Sequence, residues 1–568
     1  MWSRCCLLAA AISAVACSSS PPASSPPQPQ GGPLPLARLP DIDTAAALAH
    51  IKALSSDEFE GRAPGTRGEE LTVEYLTRQF QAAGLSPGNP DGSWVQKVPL
   101  VGITPAGTEA LVVAKGGERQ SFTRGEDVVA FSPRVTDKVA VTDSEIVFAG
   151  YGVQAPELQW DDFEGMDVKG KTLVVLVNDP QVVDPSSPGK LDPKMFGGVA
   201  MTYYGRWTYK YEKAAELGAA AVFVVHETAT AGYPFSVVQG FGKERFDLVT
   251  PDKNMGMAAV QGWLSAEAAA RMFRAAGMDF QKLKAQAATR DFKPVSLGMT
   301  ASMSLAQKVR TVDSRNVVAL LPGSDPQLKS EYVIYTAHWD HLGVGDPKEG
   351  DKIYNGASDN ASGTSALLEI ARAMAKARPA PRRSILFLAV TAEEHGLLGS
   401  MYYSKFPLYP LGKTLANLNT DNNLPMWGRT RDVIVVGLGA SELDDYLRDA
   451  AVEQGRTLHP DAEPEKGFYY RSDHFNFAKV GVPALNLDDG VQYRDQPAGF
   501  GPQKRAYYIA NDYHSPSDEV KPDWDLSGYA EQAKLLMAVG YRVAMASAFP
   551  EWKPGSEFRA KGEERLRQ

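Results

Sequence analysis

Glu393 and Glu394 close the apolar run at residues 385–390. That run reads as a buried strand of an open α/β sheet, where ligands sit just beyond the carboxyl ends of the strands. Neighbouring side chains at a strand end point apart, so one carboxylate can hold a metal while the other faces a water beside it. Four more residues stand in comparable places. His338 ends the predicted strand 332–337, within His338-Trp339-Asp340-His341. Asp359 sits in a turn, Asn355 to Gly363, that leads into a predicted helix. Asp421 follows the strand 416–419, and His514 lies in an irregular loop. Two divalent ions about 3.5 to 4 Å apart need a bridging carboxylate, terminal carboxylate and imidazole ligands, and a water between them. His338, Asp359, Glu394, Asp421 and His514 make that set. Singly, an Asp or His at a strand end is commonly a cap or a hydrogen-bonded loop residue. Together they outweigh that reading, because His50, His226 and His459 lie outside any such context. His341, His395 and His474 rank as surrounding residues before ligands.

The donor set also follows from what the chain lacks. Its cysteines are Cys5, Cys6 and Cys17, all near the amino terminus. With the first two leaving in a signal segment, neither an internal disulfide nor a thiolate metal site can form. Carboxylates with imidazoles suit two Zn²⁺ per chain, with Mn²⁺ or Co²⁺ as substitutes. At 568 residues, 43% hydrophobic and 22% charged, the composition is that of an ordinary globular protein with more than one folded unit. The net charge of −9 argues against nucleic acid or an anionic lipid surface as the main partner.

These residues need a scaffold, and strands alternate with helices from residue 305 to 549, as expected of a mostly parallel, mixed sheet covered by helices on both faces. Residues 41–100 read as the first part of the same domain. Between them, residues 101–304 form a glycine-punctuated, strand-rich block that reads as an insertion. Residues 550–568 read as a loose polar tail. Residues 1–16 read as an export signal, and 17–40 as a flexible tether. Ala14-Val15-Ala16 before Cys17 resembles a bacterial lipoprotein processing site, although Ala14 replaces the usual leucine. Ordinary signal cleavage cuts the same bond. The expected location is the cell envelope, as an outer-membrane or periplasmic lipoprotein, or the medium; membrane contact is expected only through a lipid on Cys17.

The ordered motifs His-x-Asp, Gly-Ala-x-Asp-Asn-x-Ser-Gly, Glu-Glu-x-Gly-Leu-x-Gly-Ser, Asp and Tyr-His resemble the co-catalytic di-zinc exopeptidases, which include bacterial leucine aminopeptidases and glutamate carboxypeptidase. Phe148-Ala149-Gly150-Tyr151-Gly152 and the helix and strand at 210–225 resemble the protease-associated domain inserted in many members. The resemblance implies that His338, Asp359 and Asp421 hold one ion and Asp359, Glu394 and His514 the other. It further implies that Asp340 fixes His338 and that Glu393 carries a proton from the attacking water to the departing amine. Tyr513 would stabilise the oxyanion. The expected activity is an aminopeptidase acting on the first bond of peptides. A carboxypeptidase or dipeptidase of the same family, using Arg471 or Lys504-Arg505 for a terminal carboxylate, is the alternative, followed by a one-zinc glutaminyl cyclase or a non-catalytic binding protein. Residues 468–475, with Tyr470, Arg471 and His474, form a candidate substrate wall.

Overall fold

Strand-forming runs rich in Val, Ile and Leu assemble the sheet that carries the site. The computed structural model describes residues 33–567 apart from 108, 232, 240–243, 349 and 423. In spatial order, residues 317–321 pair antiparallel with Ser384–Val390, which pairs parallel with Tyr332–His338. Thr414–Asn419 and Ala484–Asp488 continue in parallel, and Asp432–Val436 and Thr457–Pro460 complete this side. The fold is thus mixed α/β, with a largely parallel centre.

Burial alternates along each central strand. Val333, Tyr335 and Ala337, with Ile385, Phe387 and Ala389, pack under the helices Thr44–Leu54, Arg67–Ala82, Gly363–Lys376 and Ser527–Met545. Ile334, Leu386, Leu388 and Val390 face the other way, onto Tyr403, Phe475 and Phe477 from the helices Leu398–Lys405 and His474–Lys479. Both faces are covered, so the strands are apolar throughout. Local caps agree with the scheme: Asp43 accepts hydrogen bonds from the amides of Ala45 and Ala46 at the start of the first long helix.

The strand Val295–Leu321 links this sheet to the rest of the chain. It pairs with Val95–Ala106, with Lys138–Phe148 and, at its far end, with Ser384–Val390. Residues 111–305 contribute two further hydrophobic clusters, built around the parallel strands Thr172–Leu176, Ala221–His226 and Val260–Ser265. From Pro33 on, the chain forms one compact unit.

Two sequence expectations are corrected. The stretch 33–40 is not a free tether, because Leu34, Leu36 and Leu39 are buried in the main core. The tail is not loose either. Trp552 and Phe558 are buried, and Arg565, in the helix Arg559–Arg565, donates to the carbonyls of Gly481, Leu411 and Thr414. Composition hid both, since three leucines or two aromatics suffice to dock a mostly polar segment. The signal segment and Cys17 lie outside the described residues. Among those described, no helix is long and apolar enough to cross a membrane.

One buried cation ties the opening turn to the sheet. Arg62 is 1% exposed and donates to the carbonyls of Trp339, Leu54, Asn355 and Gly356. Removing it takes a donor from four carbonyls, of which that of Gly356 keeps the Ala361 amide. We expect Arg62→Met to cost about 3–5 kcal/mol in urea unfolding, the range for breaking a buried charged network; a loss below about 1 kcal/mol would refute this role.

Candidate active site

The candidate ligands converge because they leave neighbouring strand ends. Tyr332–His338 lies between Ser384–Val390 and Thr414–Asn419, so His338, the Glu393-Glu394 pair and Asp421 emerge side by side. Parallel pairing points all three strands the same way. Several residues here hold backbone conformations that L side chains rarely adopt: Ala392 at φ 53°, Asn422 at 45° and His514 at 52°. Such outliers persist only where the surroundings enforce them. Ala392 turns the chain directly before Glu393. At the Asp359 turn Gly356 has φ 58°, and a Cβ there would lie 2.6 Å from the His341 ring.

Asp359 sits between two imidazoles, one for each oxygen. Its Oδ1 is 3.3 Å from His338 Nε2, and its Oδ2 is 3.3 Å from His514 Nε2. His338 Nε2 also lies 3.1 Å from Asp421 Oδ1, and His514 Nε2 lies 3.0 Å from Glu394 Oε2. His338 uses its other nitrogen to donate to the Asp340 carbonyl at 3.1 Å. His338 thus points Nε2 at two carboxylate oxygens, an arrangement that needs positive charge there, from a proton on the ring or from a cation in its place. His514 Nε2 is buried without a hydrogen bond, whereas His338 Nε2 is within hydrogen-bond reach of Asp421 Oδ1. Two imidazole nitrogens, each facing carboxylates that share Asp359, fit divalent cations held by N and O donors.

The surrounding groups differ in part from expectation. Asp340 is not the main partner of His338: its carboxylate is 3.7 Å from Nδ1, and its Oδ1 instead accepts the Glu393 amide at 3.1 Å. It thus positions the chain carrying the glutamate pair, while its own main-chain carbonyl fixes the imidazole. His341 comes closer than the sequence suggested. Its Nδ1 donates to Glu394 Oε1 at 2.6 Å, and with Asp359 and Glu394 it forms a second group of donors near enough to share an ion. Because that hydrogen bond occupies Nδ1, His341 orients Glu394 while His514 Nε2 stays free. Asp518, four residues after His514, accepts the amides of Ser358 and Asp359, both at 3.0 Å, and so holds the turn in place. Ser472 donates to Asp421 Oδ2 at 2.5 Å.

The two adjacent glutamates are driven in opposite directions. Burial pushes Glu393 well above the usual carboxylate range, and Asp421 and Glu394 add to it against the pull of His338. Burial also works to raise Glu394, but His514 and His341 outweigh it and hold that group well below. Burial opposes protonation of His338 and His514, yet the carboxylates beside them dominate and raise both well above the ordinary imidazole value. Burial lifts Asp518 to about 6 and Asp473 to about 7. A pair of like groups with separated affinities for protons is the pattern of an acid–base site.

Beside the ligands a cavity of about 430 Å³ opens, lined by Asp359, Glu393, Glu394 and Asp421 at one side and by Phe468, Arg471 and Tyr513 among its other walls. Tyr513 stacks on His514, with ring centroids 3.9 Å apart. Tyr470 and His474 do not line the cavity. Tyr470 is buried and donates to the Met201 carbonyl at 3.2 Å, and His474 is fully buried against Tyr469, with burial driving it down to about 3. Their apolar surroundings in the second core claim them; Arg471 alone of the three reaches the cavity.

Comparison with known proteins places this geometry. Residues 316–538 match the family described as Peptidase family M28. The chain is 26% identical over 234 residues to leucine aminopeptidase 2 of Arthroderma otae, covering 39% of this chain and 43% of that one. It is 26% identical over 211 residues to aminopeptidase YwaD of Bacillus subtilis, covering 37% and 40%. The chain spans less than half the length of these curated relatives. Among solved structures, the aminopeptidase from Aneurinibacillus sp. strain AM-1 is similar with a TM-score of 0.46 and 19% identity, over 92% of this chain and 96% of that one. The span that matches Peptidase family M28, residues 316–538, holds all five donors, His338, Asp359, Glu394, Asp421 and His514, and the strand ends from which His338, Glu394 and Asp421 emerge.

Proposed function

We propose that the protein is a two-zinc aminopeptidase that hydrolyses the first peptide bond of peptides. The observation that supports it most is Asp359, whose two oxygens face His338 and His514 separately. In this reading His338, Asp359 and Asp421 hold one cation, and Asp359, Glu394 and His514 the other. When bound, the cations would polarise the scissile carbonyl and acidify the attacking water. Glu393, left out of the ligand set and kept prone to hold a proton by burial, takes that proton from the water and delivers it to the departing amine. The Tyr513 hydroxyl donates to the carbonyl oxygen as charge grows on it. Burial, then Asp359 and Glu394, raise Tyr513, so the hydroxyl keeps the proton that this bond requires.

Of the basic residues weighed for a terminal carboxylate, Lys504 and Arg505 are held in ion pairs, which leaves a carboxypeptidase only Arg471, whose Nη2 already donates to the Lys466 carbonyl. A terminal carboxylate needs an unpaired cation. Lys504 Nζ is 2.7 Å from Asp523 Oδ2, and Arg505 Nη1 is 2.5 Å from Asp488 Oδ2, so neither is at liberty. We also read the enzyme as exported, on the signal-like residues 1–16, with Cys17 as the point of lipid attachment.

Three expected outcomes test this reading. Zinc-loaded protein should cleave aminoacyl p-nitroanilides and leave N-acetylated ones intact, and Glu393→Ala should keep its two zinc ions while kcat falls by about 10²–10⁴. Turnover at the wild-type rate in that variant would remove Glu393 from the mechanism. Asp518→Asn should weaken zinc binding by about 10–100-fold in chelator competition, because the Asp359 turn loses an anchor; unchanged affinity would exclude that role. Since His338 and His514 are raised, both carry protons at pH 7 in the metal-free protein and must lose them to bind a cation. Calorimetry in buffers of different ionisation heat should therefore register at least about one proton expelled per chain, and zinc affinity should fall as the pH is lowered.

A further inference from the structure

The same cavity continues past the metal ligands to the end of the strand Ala484–Asp488. Asn419 and Asn486 are register partners on neighbouring parallel strands, so Asp421 and Asp488 leave the sheet at one level. Asp488 and Asp489 both line the cavity, together with the apolar side chains of Met426, Val436, Val491 and Tyr493. A cavity lined by apolar side chains and by carboxylates has a defined complement: a long aliphatic stem with a cationic head.

The charges around Asp489 leave one carboxyl without a partner. Those acting on it most strongly are Asp488, Arg505, Arg456 and Asp432. Arg505 is bound to Asp488. Arg456 donates to Thr430, Gln532 and the Asp432 carbonyl, while the Asp432 carboxylate accepts the amides of Val491 and Gln492. Three carboxyl groups, at 432, 488 and 489, thus meet two guanidiniums, at 456 and 505. Asp489 Oδ1 is buried with no hydrogen-bond partner among the described residues. Elsewhere on the wall Glu463 and Lys466 pair at 2.6 Å, and Arg471 donates to the Lys466 carbonyl while lying over the Phe468 ring. A carboxyl in a half-buried residue whose one oxygen is buried and unpaired is costly and seeks either a proton or a cation. Burial, reinforced by Asp488, drives Asp489 up to about 8.

We propose that this half of the cavity receives the side chain of the substrate's first residue and that Asp489 selects a long basic one, lysine or arginine. The proposal rests on the aminopeptidase reading above. The stem lies along Met426, Val436 and Tyr493, and the cationic head, keeping its own charge, pairs with the Asp489 carboxylate in a charge-assisted hydrogen bond as any proton on Asp489 is released to solvent. Arg505 cannot serve instead, because its salt bridge to Asp488 holds it.

Lysine and norleucine have similar stems and differ at the head, so their derivatives isolate the effect. With zinc-loaded full-length protein, we expect kcat/KM for lysyl p-nitroanilide to exceed that for the norleucyl compound at least tenfold. In Asp489→Asn that ratio should fall at least tenfold, chiefly through KM for the lysyl substrate. Calorimetric binding of lysinamide against norleucinamide should show the same order, in the wild type as in the variant comparison. Cleavage of both substrates with norleucine preferred or equal, or a ratio that stays within twofold in Asp489→Asn, overturns the proposal and leaves the aminopeptidase reading standing. Tight, Asp489-dependent lysinamide binding without any turnover upholds the pocket and defeats the reading of hydrolysis. The wild-type comparison needs no variant, so a misfolded Asp489→Asn would not spare the proposal.

Discussion

The site is governed by an excess of buried negative charge. Asp340, Asp359, Asp473 and Asp518 are at most 5% exposed, and the side chains of Glu393, Glu394 and Asp421 are 11%, 4% and 16% exposed. Among the described residues, the guanidinium buried against this group is that of Arg62, and it is spent on main-chain carbonyls. Isolated ionised carboxylates are too costly to bury, so they must take protons, pair, or hold metal. Glu393, Asp473 and Asp518 are pushed towards protonation, the imidazoles pair with Asp359, Glu394 and Asp421, and the remaining deficit is one that the proposed cations would offset.

Rigid placement follows from the sheet rather than from the loops. His338 belongs to a strand flanked on each side by a parallel neighbour, and both faces of those strands are packed. The ligand loops begin at fixed ends and are then tied to one another. Asp518 holds the Asp359 turn by two amides, and Asn360 accepts from Gly363 and from the Asn422 amide beside Asp421. Each loop is therefore positioned by a residue from another loop. Such second contacts are what keep a metal site to its geometry.

This division explains what was legible in the sequence. Apolar runs that end in His, Asp or Glu announce themselves, because a doubly buried strand has few polar residues and a functional one at its end stands out. The strands at 332–338, 384–390, 414–419 and 484–488 are of this kind, and the fold class followed from them. The tying residues carried no such mark. Asp518 lies among the serines and prolines of a loop, and Arg62 sits in a turn between helices, so nothing local distinguishes either from a solvated charge. Tyr470 and His474 failed for the opposite reason. They stand near Arg471 in sequence, but the short helical turns there send alternate side chains into the core beneath the sheet. The strained backbone at Ala392 was invisible too, since alanine has no preference for φ above zero and only the surrounding packing imposes it.

Strand order also gives the cavity its two characters. Leaving the sheet at the level of Asp421, the chain at Asp488 and Asp489 enters a setting with arginines rather than imidazoles for partners. Imidazoles can surrender protons near neutral pH and so exchange them for metal, whereas guanidiniums cannot. Carboxylates next to histidines thus become ligands, and carboxylates next to arginines become fixed salt bridges or, where one is left over, a receptor for a cation. In the proposed reading the same residue type at the ends of adjacent strands would serve bond cleavage on one side and recognition on the other, because the partner, not the acid, sets the chemistry.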